Sequence, residues 1–405
     1  MITTRDQLEL DWIILRDWTV QVIYDLVPVE FRTDFEELIL PYLKTFLYSD
    51  ESVTHNRSRY QLWALAFLHI CSAYTSDYPL SPLTLRLCCD RCYTLSEIVT
   101  AIYTVVRWLG PAPPILPATK VRTLAKTTST HCTLVCMGTT QLVLKRIQHV
   151  ADKTPAYDAL VEVCVHYILS TIPRGSPYQH VARLFHVSID EFATSLYYEY
   201  IQTPLDTLFG RDPVTCQTLI QGLLRGTQSL HSVGIAHRDL KALNIHVGPG
   251  LQVKLLDLGS AGYGAVRMTL PICTITHRSP DLLEAEASGS TVVYYEGQKL
   301  DVWSIGVLIA EICCGADPFG PIISGTSPGR MLGLIRTRVD SVKRLVRDHL
   351  YPEQYILFCR CLLEKPVKRP TVEELLAVFT GARRQEPEEP EEPEEPEEPE
   401  GPEEP

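Results

Sequence analysis

One loop, together with the hairpin that follows it, constrains this chain more than any other feature. The loop contains His237-Arg238-Asp239-Leu240-Lys241 and ends at Asn244, and Asp257-Leu258-Gly259 begins thirteen residues later. Apolar runs at 245–247 and 251–256 flank a Gly-Pro-Gly turn, which is the pattern of a β-hairpin. Strand, turn and polar residues therefore all predict one local structure that leads from the first acidic segment to the second.

This arrangement resembles the catalytic centre of a serine/threonine protein kinase. The resemblance implies that Asp239 accepts the proton of a substrate hydroxyl and that Lys241 steadies the γ-phosphate of ATP. A lysine at that position is typical of kinases that act on serine and threonine. Asn244 and Asp257 would be the ligands of Mg²⁺, a hard cation that binds through carboxylate or amide oxygens and phosphates.

The order of elements along the chain resembles the same family. Short β-rich runs come after residue 120 and a long helix-rich part follows them. The expected fold class is therefore α+β, a bilobal protein kinase fold with a small β-rich lobe, a large helical lobe and an extra N-terminal helical domain. The strand at 141–146 carries Lys145, which resembles the lysine that contacts the α- and β-phosphates of ATP.

A helix that begins near Pro155 carries the expected partner of Lys145. Glu162 lies among valines, where a carboxylate would lose its hydration without gaining a partner unless a cation reached it. Asp158, one turn earlier, is the alternative partner.

The run from Leu196 to Ile201 resembles the hinge that joins the two lobes of a kinase. The resemblance implies that backbone groups of Glu199 and Ile201 bind the adenine edge of ATP. Tyr198 would stand at the back of that pocket and make it narrow.

Three further residues resemble structural supports of the family. Asp281 follows Ser279-Pro280 where the family usually has a glutamate, and its expected partner is Arg369. Thr274 matches the threonine that contacts the catalytic acid and lysine. Asp301 resembles the buried acid that braces the backbone of the catalytic loop.

The loop that should cover the phosphates departs from the family pattern. Its expected position is the window from Leu124 to His131, which contains hydroxyl residues and no glycine. Side chains there bring Cβ atoms close to the phosphates and restrict positive φ angles. We therefore expect reduced ATP affinity or turnover.

Two functions of different class follow from these residues. The first is an active kinase that uses ATP and Mg²⁺ and phosphorylates serine or threonine in protein substrates. The second is a pseudokinase or scaffold that acts by binding proteins, and the missing glycines motivate it. In either case a regulatory partner could bind the N-terminal domain or the acidic tail.

The low isoelectric point describes the tail more than the folded part. The last twenty residues hold twelve of the 49 acidic residues, so the remainder carries 37 acidic and 37 basic residues. This balance does not favour nucleic acid as a partner. The apolar run from Leu62 to Tyr74 is too short to span a bilayer, so no membrane association is expected.

Composition, together with the resemblance to the kinase family, predicts four parts of the chain. They are an N-terminal helical domain at 1–110, a proline-rich linker at 111–120, a kinase domain at 121–383 and a disordered Glu/Pro tail at 384–405. A divergent small lobe, an unfamiliar N-terminal domain and a low-complexity tail resemble the kinases of large DNA viruses such as herpesviruses.

The thirteen cysteines lie scattered in apolar surroundings, which is typical of reduced thiols and predicts a location in the cytoplasm or nucleus, including those of a host cell. Cys88, Cys89 and Cys92 form the one cluster that could hold zinc. No second Cys/His pair at finger spacing follows, so a structural role is favoured.

Overall fold

The computed structural model describes residues 12–13, 15–17, 19–23, 39–41, 43–46, 48, 60–75, 95–110, 117–150, 155–170, 179–263, 265–270, 273–315, 318–320 and 326–381. The predicted disordered tail, most of the predicted linker and the cysteine cluster at 88–92 lie outside these ranges. Side chains within some of these elements, including those at 263–269, are likewise outside the description.

Two N-terminal helices occur where the apolar spacing predicts them. They are α1 (Tyr60–Thr75) and α2 (Leu95–Leu109), and helical residues also occur within 12–23 and 39–48. Phe46 makes edge-to-face contacts with Trp63, Phe67 and Trp108, with ring centroids 5.2 to 5.5 Å apart. These helices share one continuous apolar core with the rest of the molecule, so the domain boundary near residue 110 stays a prediction.

A five-stranded antiparallel sheet follows, with strand order β1-β2-β3-β5-β4. Its strands are β1 (Thr119–Lys126), β2 (Thr130–Met137), β3 (Thr140–Gln148), β4 (Leu184–Ile189) and β5 (Ala193–Glu199). Gly138 has a φ of 60°, which a glycine adopts easily in the tight turn between β2 and β3. The register places Lys145 between Cys132 of β2 and Leu196 of β5, in the middle of the sheet.

Helix α3 (Tyr157–Ser170) lies between β3 and β4 in the chain and is almost wholly apolar. Its buried residues run from Ala159 to His166 and include Leu169. A helix that is apolar all round must be covered on every side, so α3 packs against both the sheet and the N-terminal helices.

The second half of the chain is mainly helical. Its helices are α4 (Pro213–His231), α5 (Pro280–Ala287), α6 (Gly297–Cys314), α7 (Pro328–Val346), α8 (Pro352–Cys361) and α9 (Val372–Thr380). Helix α6 is buried over nearly its whole length and forms the centre of this part. The division into a β-rich part and a larger helical part confirms the expected fold class.

Short strands hold the loops between these helices. They are β6 (Thr203–Pro204), β7 (Ile235–Ala236), β8 (Ile245–Gly248), β9 (Gln252–Leu255), β10 (Gly262–Tyr263), β11 (Ala265–Thr269) and β12 (Val292–Glu296). The predicted hairpin is confirmed, since β8 pairs with β9 in antiparallel register and Gly250 has a φ of 68° at its turn. In the described ranges, no helix combines the length and apolarity that a bilayer span requires.

Candidate active site

Asp301 fixes the backbone of the loop that runs from β7 to β8. Its carboxylate is fully buried at the start of α6 and accepts the backbone N–H of His237 at 2.7 Å and of Arg238 at 2.8 Å. Arg238 has a φ of 64°, a left-handed conformation that is costly for a residue with a Cβ atom. The two hydrogen bonds hold this conformation, which confirms the bracing role expected of Asp301.

The carboxylate of Asp239 lies at the centre of a compact polar network. Lys241 Nζ lies 2.6 Å from Oδ2, the Thr274 hydroxyl donates to Oδ1 at 2.8 Å, and Asn244 Nδ2 donates to Oδ2 at 3.1 Å. Lys241 Nζ also donates to the Thr274 hydroxyl at 2.8 Å. The expected contacts of Thr274 with the acid and the lysine are therefore confirmed.

Lys145 joins two carboxylates that come from distant parts of the chain. Its Nζ lies 2.6 Å from Glu162 Oε1 and 2.7 Å from Asp257 Oδ1. The expected pair with Glu162 is confirmed, and the alternative partner Asp158 instead accepts the backbone N–H of Ala159. The β8–β9 hairpin thus delivers Asp257 to the side of the sheet on which Lys145 lies.

Burial and charge have opposite effects on the pKa values of Lys145, Glu162 and Asp257. Burial raises the pKa of Glu162 to about 8, although the charge of Lys145 acts against the rise. Burial alone would lower the pKa of Lys145, but the two carboxylates outweigh it and hold that pKa above its usual range. Burial alone would raise the pKa of Asp257, but the charge of Lys145 and the hydrogen bonds with Lys145 and Glu162 together outweigh it and lower that pKa. The trio therefore favours a charged lysine that two acids share.

The second oxygen of Glu162 has a partner that sequence reasoning missed. The hydroxyl of Tyr198 donates to Glu162 Oε2 at 3.1 Å, and the ring of Tyr198 lies against His166 with centroids 5.4 Å apart. Both oxygens of the buried carboxylate are thus satisfied. No local signal reveals this contact, because it depends on how α3 lies across β5.

The hinge residues lie at the end of β5 and just after it. The Ile201 carbonyl accepts a hydrogen bond from His246 Nδ1 at 2.7 Å, and the Glu199 side chain lies 2.8 Å from Lys254 Nζ. Both contacts tie the hinge to the β8–β9 hairpin. Adenine recognition by the backbone of Glu199 and Ile201 stays a prediction.

The turn between β1 and β2 closes without glycine. Thr127 N–H donates to the Thr130 carbonyl at 2.8 Å, and Thr130 N–H donates to the Thr127 hydroxyl at 3.0 Å. Residues 127–130 do not adopt the left-handed backbone conformation that favours glycine. We name residues 127–130 the phosphate turn, after the role that the resemblance to the family predicts for them. The Thr127 hydroxyl therefore stabilises the turn by accepting one of its hydrogen bonds.

The segment between Asp257 and Asp281 is held at both ends. Strand β11 pairs in antiparallel register with β12. Arg369 Nη2 donates to Asp281 Oδ1 at 2.6 Å, which confirms the expected pair, but Nη1 donates to the Tyr295 hydroxyl at 2.7 Å. The shorter aspartate thus shares the guanidinium with a tyrosine of β12.

A β-rich part and a larger helical part meet at Lys145, Glu162, Asp239, Asn244 and Asp257, which is the bilobal arrangement that the sequence predicts. Comparison of the sequence with known families gives the particular group, because residues 138–378 match the protein kinase domain. The match covers more than half of the chain, and the protein belongs to the protein kinase family. The phosphate turn and the N-terminal helices precede the matched region.

Individual relatives match over shorter stretches. Mitogen-activated protein kinase 13 of Bos taurus is 32% identical over 122 residues, which are 30% of this chain and 31% of the relative. The maternal embryonic leucine zipper kinase of Xenopus laevis is 27% identical over 208 residues, or 49% of this chain and 30% of the relative. The chain thus spans about a third of the length of these relatives.

Proposed function

We propose that the protein is an active serine/threonine kinase that transfers the γ-phosphate of ATP to hydroxyls of protein substrates. The observation that carries this proposal is the network around Asp239, in which Lys241 and Thr274 both contact the acid. The two contacts fix the direction of the carboxylate, and such positioning is the main protein contribution to phosphoryl transfer.

In this proposal Asp239 accepts the proton of the substrate hydroxyl. Lys241 stabilises the charge of the transferred phosphate. Its ammonium lies 2.6 Å from Asp239, so one cation serves both the base and the phosphate. Kinases specific for tyrosine lack this lysine, and its presence supports serine and threonine as substrates.

ATP and Mg²⁺ are the proposed cofactors. Lys145, oriented by Glu162, would contact the α- and β-phosphates, while Asn244 and Asp257 would be the metal ligands. The side-chain nitrogen of Asn244 already donates to Asp239, so the amide oxygen remains for a cation. A carboxylate and an amide oxygen suit Mg²⁺, which would neutralise phosphate charge.

The alternative function is a scaffold that binds proteins through the same fold. The phosphate turn supports this alternative, because it has threonine and serine where close approach to phosphate favours glycine. Partners would then bind the N-terminal helices or the acidic tail. The intact network around Asp239 weighs against it, since a scaffold has no need of that geometry.

Transfer of radiolabelled γ-phosphate tests the proposal. Purified protein with Mg²⁺ should label itself or a generic basic protein on serine or threonine, and Lys145→Met and Asp239→Asn should abolish the label. Lys343→Met and Asp340→Asn are matched controls, because this partly exposed ion pair on α7 lies outside the proposed site. Absence of label, with no thermal shift on adding ATP and Mg²⁺, would favour the scaffold.

A further inference from the structure

The N-terminal helices cover one side of α3, the helix that carries Glu162. The ring of Trp108, near the end of α2, lies 5.2 Å from the ring of Tyr167 on α3. The same tryptophan contacts Phe46 at 5.2 Å and Phe67 at 6.0 Å. Trp108 therefore connects the aromatic core of the N-terminal helices directly to α3.

Polar contacts fix α2 against the sheet at two more places. The Tyr103 hydroxyl lies 3.1 Å from His149 Nδ1, and His149 Nε2 lies 3.1 Å from the Thr194 hydroxyl on β5. Arg107 Nη2 donates to the Ile189 carbonyl at the end of β4, 3.1 Å away. Helix α2 is thus anchored to strands on both sides of α3 in the sequence.

The end of α2 also approaches the sheet too closely to allow a side chain. A Cβ atom at Gly110 would lie 2.5 Å from the Cβ of Val187 on β4. The close approach fixes the direction in which the chain leaves α2. The distance between α2 and the sheet is therefore set by direct contact of backbone with side chain.

The opposite side of α3 faces the proposed active site. Glu162 is fully buried and holds Lys145. A Cβ atom at Gly259, two residues after Asp257, would lie 3.0 Å from the Cβ of Asp158 on α3. Any movement of α3 would thus move Glu162 relative to Lys145. Tyr167 lies only five residues beyond Glu162 on the same rigid helix.

We propose that the N-terminal helices are an intramolecular brace for α3, with Trp108 and Tyr103 as positioning residues. Their packing holds α3 where Glu162 meets Lys145, so that lysine is oriented for phosphate without a separate activating protein. The effect on turnover rests on the proposed kinase function. The effect on the position of α3 is independent of that function and can be measured without it.

Hydrogen exchange of the full-length protein tests the brace without reference to activity. Trp108→Ala should increase amide exchange in α3 by about tenfold or more, equivalent to about 1.4 kcal/mol, and leave α4 in the helical part unchanged. Trp12→Ala is the matched control, because the Trp12 ring packs under Lys44 within the N-terminal region. Unchanged exchange in α3, or an equal increase in the control, would overturn the proposal.

A double-mutant cycle then separates positioning from loss of folded protein. If Trp108 acts through Glu162, Trp108→Ala should reduce kcat about tenfold in the native background and less than about twofold in Glu162→Gln. The same reduction in both backgrounds would contradict the brace. If α3 exchanges faster but no variant transfers phosphate, the brace stands and the proposed kinase function fails.

Milder variants keep the test open if Trp108→Ala does not fold. Tyr103→Phe removes only the hydroxyl next to His149, and Arg107→Gln removes the donor to Ile189. The double variant should increase α3 exchange by about threefold, since each hydrogen bond contributes only modestly. No increase in a folded double variant would overturn the proposal, and Trp108→Phe should restore most of the protection.

Discussion

The proposed catalytic loop and the proposed phosphate-binding side of the site are assembled in different ways. Asp239, Lys241 and Asn244 lie within six residues and need only Thr274 from elsewhere to complete their network. Lys145 and Glu162, in contrast, meet only because α3 is packed onto the sheet. A short motif can specify the first arrangement, whereas the second depends on packing, and the chain departs from its family near the second.

The comparison is tested most strongly by replacing the carboxyl group of Glu162. Glu162→Gln leaves the shape of the side chain but removes the buried partner of Lys145, so kcat/KM for ATP should fall about a hundredfold. Asp158→Asn, one turn earlier on α3, is the matched control and should stay within about threefold of the native value. Steady-state kinetics measure both, and equal losses would mean that Asp158 is the functional partner.

A smaller effect is expected from the hydroxyl of Tyr198. Tyr198→Phe keeps the ring but removes the donor to Glu162, and a hydrogen bond of this kind contributes about 0.5 to 1.5 kcal/mol. We expect kcat/KM for ATP to fall about tenfold. Tyr197→Phe is the control, because that ring lies against His186 on β4. An unchanged Tyr198→Phe enzyme would show that α3 packing alone orients Glu162.

The free energy of unfolding should depend on pH through a buried histidine on the side of the site that contains Lys145 and Glu162. Burial lowers the pKa of His166 on α3 to about 3, so the unfolded chain binds a proton that the folded protein does not. Stability is fully present above about pH 6.5 and is lost as the pH falls towards 3, by up to about 1.4 kcal/mol per pH unit.

Urea unfolding of the native protein and His166→Gln between pH 5 and 8 checks this expectation. The variant should lose less stability than the native protein below pH 6.5. Above that pH the two should differ only by a constant packing term. Parallel curves over the whole range would show that His166 can take up a proton in the folded state.

The smallest effect is expected at the phosphate turn. Thr127→Val removes the acceptor of the Thr130 N–H, so KM for ATP should rise about threefold with kcat unchanged, corresponding to about 0.7 kcal/mol. Thr123→Val on the exposed face of β1 is the control. A large loss of kcat would mean that the turn contributes to the chemical step as well as to binding.

Sequence reasoning predicted the contacts of residues that belong to a recognisable motif and of a carboxylate in apolar surroundings. Asp301 and the pair of Asp281 with Arg369 were found through the resemblance to the family, and both contacts are as predicted. The contact of Tyr295 with Arg369 and that of Tyr198 with Glu162 were not predicted. Each depends on the register between distant strands and helices, which a hydroxyl on an apolar strand does not reveal.

The surface against which the N-terminal helices pack could likewise not be predicted from the sequence. Their apolar spacing predicted helices, and this was correct for α1 and α2. The same spacing does not say which surface the apolar face will cover. The domain boundary that the proline-rich stretch predicts stays a prediction, and the described helices share their core with α3.

The contact between Trp108 and Tyr167 has a consequence for synthesis. The ribosome makes α2 before the helix that covers it, and 59 residues separate the two rings. At translation rates of about 5 to 20 residues per second, the apolar face of α2 stays uncovered for roughly 3 to 12 s before α3 has been synthesised. During that interval a chaperone or a neighbouring nascent chain can bind it, so the yield of native protein should depend on translation speed between these two positions.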